Sequence, residues 1–92
     1  MRFLVEVAVA LPPTLGEAQR ADLLAAELER GRALKDAGAI VGIWRVPGAL
    51  RNVGIWEAAD ATELHELIAS LPLFPYVDAR VTPLAQHPVD AR

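Results

Sequence analysis

Leu71-Pro72-Leu73-Phe74-Pro75-Tyr76 is a six-residue run with two prolines, two aromatic rings and no charge. It follows a helix-like pattern and precedes a strand-like one. Proline lacks a backbone donor and fixes φ, so Pro72 ends the helix and Pro75 keeps the chain extended. A segment this apolar that is neither helix nor central strand must lie against something. It reads either as a plug closing a small core, or as a pocket wall or subunit contact.

The elements on either side of this run set the fold. Upstream, Asp60 and Glu63 have the spacing of a capping box, and Leu64, Leu67 and Ile68 form the apolar face of a short helix that ends at Leu71. His65 borders that face and reads as a solvated or packing side chain. Downstream, Val77 to Leu84 reads as a strand, with Pro83 arguing for a sheet edge.

Further upstream, Ala39–Val46 and Leu50–Glu57 are strand-like runs separated by Pro47-Gly48, a hairpin signature. The first has apolar residues on both faces, as a central strand would. In the second, Asn52, Gly54 and Trp56 share one face, so a small hole lined by these three is expected, with a bulge at Gly54 as the alternative.

Near the start, Phe3 to Leu11 alternates, with Phe3, Val5, Val7 and Val9 on one side, before Pro12-Pro13 stop it. Gly16 to Ala37 is helical in pattern, with Thr14 and Glu17 as capping pair and Gly38 as the stop. Ala21, Leu24, Ala25 and Leu28 form its expected buried stripe, and Glu27 falls at the border among Leu23, Leu24, Gly31 and Leu34. A carboxylate so placed is partly desolvated, which raises its pKa and makes it a better base.

The resulting order, βαββαβ with right-handed crossovers, is an α+β ferredoxin-like fold. Its two helices cover one face of a four-stranded antiparallel sheet. The other face is left to pair with a second subunit.

Composition bounds the function. The chain has 92 residues, of which 53% are hydrophobic and 23% charged, and this specifies one small globular domain spanning 1–92. It has no cysteine and two separated histidines, His65 and His87, so neither a thiolate nucleophile nor a structural metal is expected. A net charge of −3 with scattered basic residues disfavours nucleic acid. Glu6 interrupts the N-terminal apolar run, no signal-peptide pattern is visible, and no run reaches spanning length, so a cytoplasmic address is expected. The polar tail 85–92 is expected either to fray or to pack on another subunit.

Several of these stretches together resemble the muconolactone Δ-isomerase family: the opening strand into Leu11-Pro12, Trp44-Arg45-Val46-Pro47-Gly48, Asn52, Leu71-Pro72-Leu73-Phe74-Pro75-Tyr76-Val77-Asp78, and His87-Pro88. The resemblance implies a ring-like homo-oligomer, decameric in characterised relatives, with a cofactor-free pocket near subunit contacts. This favours the wall-and-contact reading of the six-residue run. It implies a place in the 3-oxoadipate pathway of aromatic hydrocarbon catabolism, shifting the double bond of muconolactone to give 3-oxoadipate enol-lactone. Glu27 matches the glutamate of the family's first helix and is the expected proton shuttle. Arg45 is the expected carboxylate clamp and Asn52 the expected donor to the lactone carbonyl. Trp44, Trp56, Phe74 and Tyr76 are the expected apolar walls.

The family pattern has His and Tyr where this chain has Gly42, Ala49 and Leu50, so the pocket reads as greasier, suited to a more apolar lactone. Two other functions compete. A dimeric α+β barrel cyclase or monooxygenase-like enzyme acting on an aromatic polyketide would need a long pocket. A non-catalytic binding module of the same fold would leave Glu27 facing bulk solvent.

Overall fold

The computed structural model describes residues 1–90, and the last two residues of the expected tail lie outside them. Within the described residues the order is β1 (Arg2–Val9), α1 (Glu17–Asp36), β2 (Ile40–Arg45), β3 (Arg51–Glu57), α2 (Ala61–Ala69), a single 3₁₀ turn at Phe74–Tyr76, β4 (Val77–Leu84) and a last 3₁₀ turn at Pro88–Asp90. The sheet runs β2-β3-β1-β4, and every neighbouring pair is antiparallel. This is the ferredoxin-like arrangement expected from the pattern of elements.

Register divides the sheet into two faces, because paired residues point the same way. Phe3 pairs with Trp56, Val5 with Gly54 and Val7 with Asn52, placing these residues on the helix side. There Phe3, Val5, Val7 and Trp56 are buried with Leu34, Ile40, Leu64, Ile68 and Leu71. On the opposite side, Glu6 stands between Val53 and Arg80. Trp44 stands opposite Val53 on that same open face.

Several expectations need correction. β2 is an edge strand rather than a central one. Its two-sided apolar character arises because Ile40 is buried in the core while Val41, Ile43 and Trp44 are exposed. The bulge lies in β2 between Ile40 and Gly42, not at Gly54. The expected hole between Asn52, Gly54 and Trp56 is closed. A side chain at Gly54 would meet the Gly42 carbonyl oxygen at 3.0 Å and the Trp56 indole nitrogen at 3.3 Å.

The N-cap of α1 is Gly16, not Thr14. Its N–H donates to Gln19 Oε1 at 3.0 Å, so Gln19 takes the role expected of Glu17. Gly38, at φ 85°, makes the left-handed exit after α1 that other residues adopt at a cost.

The largest difference concerns the face that α1 presents. Ala21, Leu24, Ala25 and Leu28 are exposed, and the inward side carries Leu23, Glu27, Arg30, Gly31 and Leu34. Only Leu34 is fully buried, near the C-terminal end, and α1 therefore stands off the sheet along most of its length. By contrast α2 is seated by Leu64 and Ile68, and its N-terminus is closed by Asp60, which accepts from the Glu63 N–H at 2.8 Å.

Candidate active site

The space under α1 is a hollow of about 360 Å³ between that helix and β2. Glu27, Gly31 and Lys35 line it at four-residue intervals, one face of a helix, with Leu28 and Arg32 beside them. The opposite wall is Ile40, Ile43, Trp44 and Arg45 of β2, and Asn52 of β3 closes one end. Arg45 and Asn52 are direct cross-strand partners, so the hairpin presents a guanidinium and an amide side by side.

Glu27 is fixed from a distant part of the chain. The Leu73 N–H donates to Glu27 Oε1 at 2.9 Å in a partly buried setting. Pro72 and Pro75 flank that donor, and the turn is closed by Tyr76 N–H to the Leu73 carbonyl at 2.8 Å. One helical turn further on, Arg30 donates from Nε and Nη2 to Ser70 Oγ at 3.1 and 3.0 Å. The end of α2 and the Leu-Pro-Leu-Phe-Pro-Tyr run are thus tied to α1 at two successive turns.

Burial lifts the Glu27 carboxyl above the ordinary glutamate range, and the Leu73 hydrogen bond opposes this with a smaller effect. A carboxylate kept partly dry, with one oxygen anchored and the other available, is built to move a proton. Among the described residues, no hydrogen bond engages the Asn52 amide and no acid lies within ion-pair distance of Arg45. Both groups are available to a ligand.

Of the residues singled out from the sequence, Glu27, Arg45 and Asn52 line one hollow, and Trp44 borders it on the β2 edge with its ring on the open face. Trp44 is 60% exposed, and its ring lies across Gly42, where an added Cβ would approach it to 2.8 Å. The other three aromatics sit elsewhere. Trp56 is 2% exposed within the core. Phe74 packs against the core and meets His65 edge-on, with ring centroids 5.8 Å apart. The Tyr76 carbonyl accepts from the Ala10 N–H at 2.8 Å, joining the six-residue run to the end of β1.

Sequence pattern did not single out Arg32 and Lys35 as site residues. Their signal was their closeness to the stripe on the helical wheel, which a hollow under α1 turns into wall positions. Among the described residues no cluster of His, Cys, Asp or Glu could hold a metal ion, and no helix is long and apolar enough to cross a membrane.

A ferredoxin-like domain with a half-buried carboxylate, a guanidinium with no acid within ion-pair distance among the described residues, and an amide around one hollow belongs to the class of small α+β domains equipped for acid–base chemistry. A sequence profile of the Muconolactone delta-isomerase family matches residues 1–90. The chain is 39% identical over 92 residues to Muconolactone Delta-isomerase of Cupriavidus pinatubonensis (strain JMP 134 / LMG 1197), covering 100% of both proteins. It is 36% identical over 90 residues to Muconolactone Delta-isomerase of Rhodococcus opacus, covering 98% of this chain and 97% of that protein. The crystal structure of a muconolactone isomerase superposes with a TM-score of 0.91 at 33% identity, covering 100% of this chain and 96% of the other. The chain belongs to the muconolactone delta-isomerase family.

Proposed function

We propose that the protein is a cofactor-independent isomerase that moves the ring double bond of muconolactone, or of a more apolar unsaturated lactone acid, through Glu27. The observation that carries this reading is that Glu27, Arg45 and Asn52 line one hollow, with Glu27 partly desolvated and held by Leu73.

The chemistry follows from those groups. The ionised Glu27 oxygen not bound by Leu73 takes the ring C–H next to the lactone oxygen. That C–H bond breaks, an O–H bond forms on Glu27, and the electron pair enters a dienolate. The same carboxyl then returns the proton two carbons away, next to the carbonyl, from the same face of the ring. Partial burial assists by raising the basicity of the carboxylate. The Asn52 amide donates to the enolate oxygen as negative charge develops there. Arg45 pairs with the substrate carboxylate, and its planar fork fixes the ring's orientation. Ile43 supplies the apolar wall of the hollow on β2, Trp44 backs that strand from the open face, and Trp56, Phe74 and Tyr76 act from behind by holding β3 and the Leu73 turn in place.

We infer that the chain works as a homo-oligomer in the cytoplasm, with dimers paired through the open sheet face as the building block of a larger ring. Its exposed area of 6400 Å² exceeds the roughly 5,200 Å² expected of a compact monomer of this mass. Val41, Trp44 and Val46 are among the exposed apolar residues of the β2 edge and hairpin, and Val89 in the tail is 80% exposed.

The test is to incubate purified protein with muconolactone and follow the ring protons by NMR. Conversion to the enol-lactone by wild type, and its loss in Glu27→Gln with the fold intact, is the expected result. No conversion by wild type, or equal conversion by both, would overturn the reading.

A further inference from the structure

The hollow carries more positive charge than one substrate carboxylate requires. The whole chain has twelve acidic and nine basic residues, yet the lining contains Arg32, Lys35 and Arg45 against Glu27 alone. Among the described residues the ion pairs involve only Glu57, with the N-terminus and with Arg2, so none of the three cations has an acid within 4.0 Å. The lining has a surplus of two positive charges.

These charges occupy two places. α1 turns at Ala37-Gly38 directly into β2, and the Ala39 N–H donates to the Leu34 carbonyl at 2.9 Å. The helix and strand therefore run in opposite directions along the groove. That antiparallel course puts Lys35 toward the Ile40 end of the lining and Glu27, about two turns earlier, toward the Arg45 and Asn52 end. Eight residues of helix separate Glu27 from Lys35, about 12 Å at 1.5 Å per residue. Gly31 and Ile43, which fall between these ends in chain order, offer no polar side chain.

We propose that Arg32 and Lys35 form a second anion-binding station: a monoanionic lactone acid such as muconolactone engages Arg45 alone, whereas a dianionic lactone with one acidic group at Arg45 and the other at Arg32 and Lys35 is held more tightly. The apolar middle of the groove takes the carbon skeleton, and the dianion balances the surplus charge. The lactone part of this statement rests on the isomerase reading, whereas the two-station anion site does not.

Calorimetric titration of the full chain at low salt, with the dicarboxylates succinate, adipate, suberate and sebacate and with octanoate as the monoanion of matched length, separates the two. The expected result is tighter binding of a mid-length dicarboxylate than of octanoate by about tenfold, the discrimination worth about 1.4 kcal/mol. That advantage should disappear in Arg32→Gln/Lys35→Gln, return in the charge-preserving Arg32→Lys/Lys35→Arg, and persist in Glu27→Gln. Equal binding of octanoate and every dicarboxylate, an advantage that survives Arg32→Gln/Lys35→Gln, or no binding at all would overturn the proposal. A protein that binds dicarboxylates in this pattern but never isomerises a lactone would refute the isomerase reading and leave the two-station site standing.

Discussion

The two helices lie on the same face of one sheet but do opposite things. α2 is nine residues long and buries Leu64 and Ile68, with Asp60 capping its start. α1 is twenty residues long and buries only Leu34, leaving Leu24 and Leu28 to solvent. A close-packed helix leaves no room for substrate, because protein interiors fill to crystal-like density. A helix that stands off must be held by something other than a continuous apolar seam. Here the bonds from Arg30 to Ser70 and from Leu73 to Glu27 hold it, and the second of these also anchors the carboxylate proposed to carry the proton. The helix that packs less bears the candidate acid–base group.

Substitutions on the two helices should therefore fail differently. The largest effect is expected on α1: Glu27→Gln should lower kcat by about 10³-fold, within the range for loss of a positioned acid–base group, with thermal unfolding unchanged or shifted upward. The upward direction follows from burial, which makes the charged carboxylate costly in the folded state. On α2, Leu64→Ala or Ile68→Ala should cost about 2–5 kcal/mol in denaturant unfolding and leave kcat per folded molecule near wild type. An α2 truncation that lowered kcat without lowering stability would break the contrast between the helices.

Asn52→Ala should lower kcat by about 10²-fold, the loss of one oxyanion donor, with a smaller change in KM. A change confined to KM would place Asn52 in ground-state binding instead.

The pH profile sharpens the same contrast. The Glu27 pKa is raised and the carboxyl must be ionised to accept a proton, so activity should fall on the acid side with a midpoint above the ordinary glutamate range. The sign for stability is the reverse. A carboxyl whose folded pKa lies above its unfolded value favours folding when protonated, and that contribution is lost as pH rises through the folded value. Glu27→Gln should remove this slope. The smallest effect is expected at the α2 cap, where Asp60→Ala should cost about 1 kcal/mol of stability and nothing in kcat.

Much of this was legible in the sequence, and unevenly so. The proline-bounded run, the Pro-Gly hairpin and the Asp60 cap each leave a local chemical signature, and the architecture followed from their order. The face of α1 was not legible, because a periodicity argument assumes that the most apolar stripe turns inward. Here the sheet already has its cover from α2 and the Leu71–Leu73 region, and Leu24 faces outward and Leu28 stands exposed at the mouth of the hollow that Glu27 and Gly31 line. β2 was misplaced as a central strand for a related reason: apolar residues on both faces of an edge strand carry the same pattern as a buried one. Glu27 was found on the border of the wrong stripe, and the resemblance to a family glutamate selected it. Its anchor was invisible, since no pattern links a helix carboxylate to a backbone N–H forty-six residues away.

If one half-buried carboxylate carries the hydrogen between two carbons of the same ring, that hydrogen should return to the ring before it exchanges with solvent. Isomerisation of muconolactone in D₂O, quenched after a single turnover and read by NMR at both carbons, tests it most directly. Transfer through Glu27 gives deuterium below the solvent level at the newly protonated carbon for wild type, and neither product nor exchange for Glu27→Gln. Full solvent deuterium at that carbon, or exchange undiminished in Glu27→Gln, would contradict it.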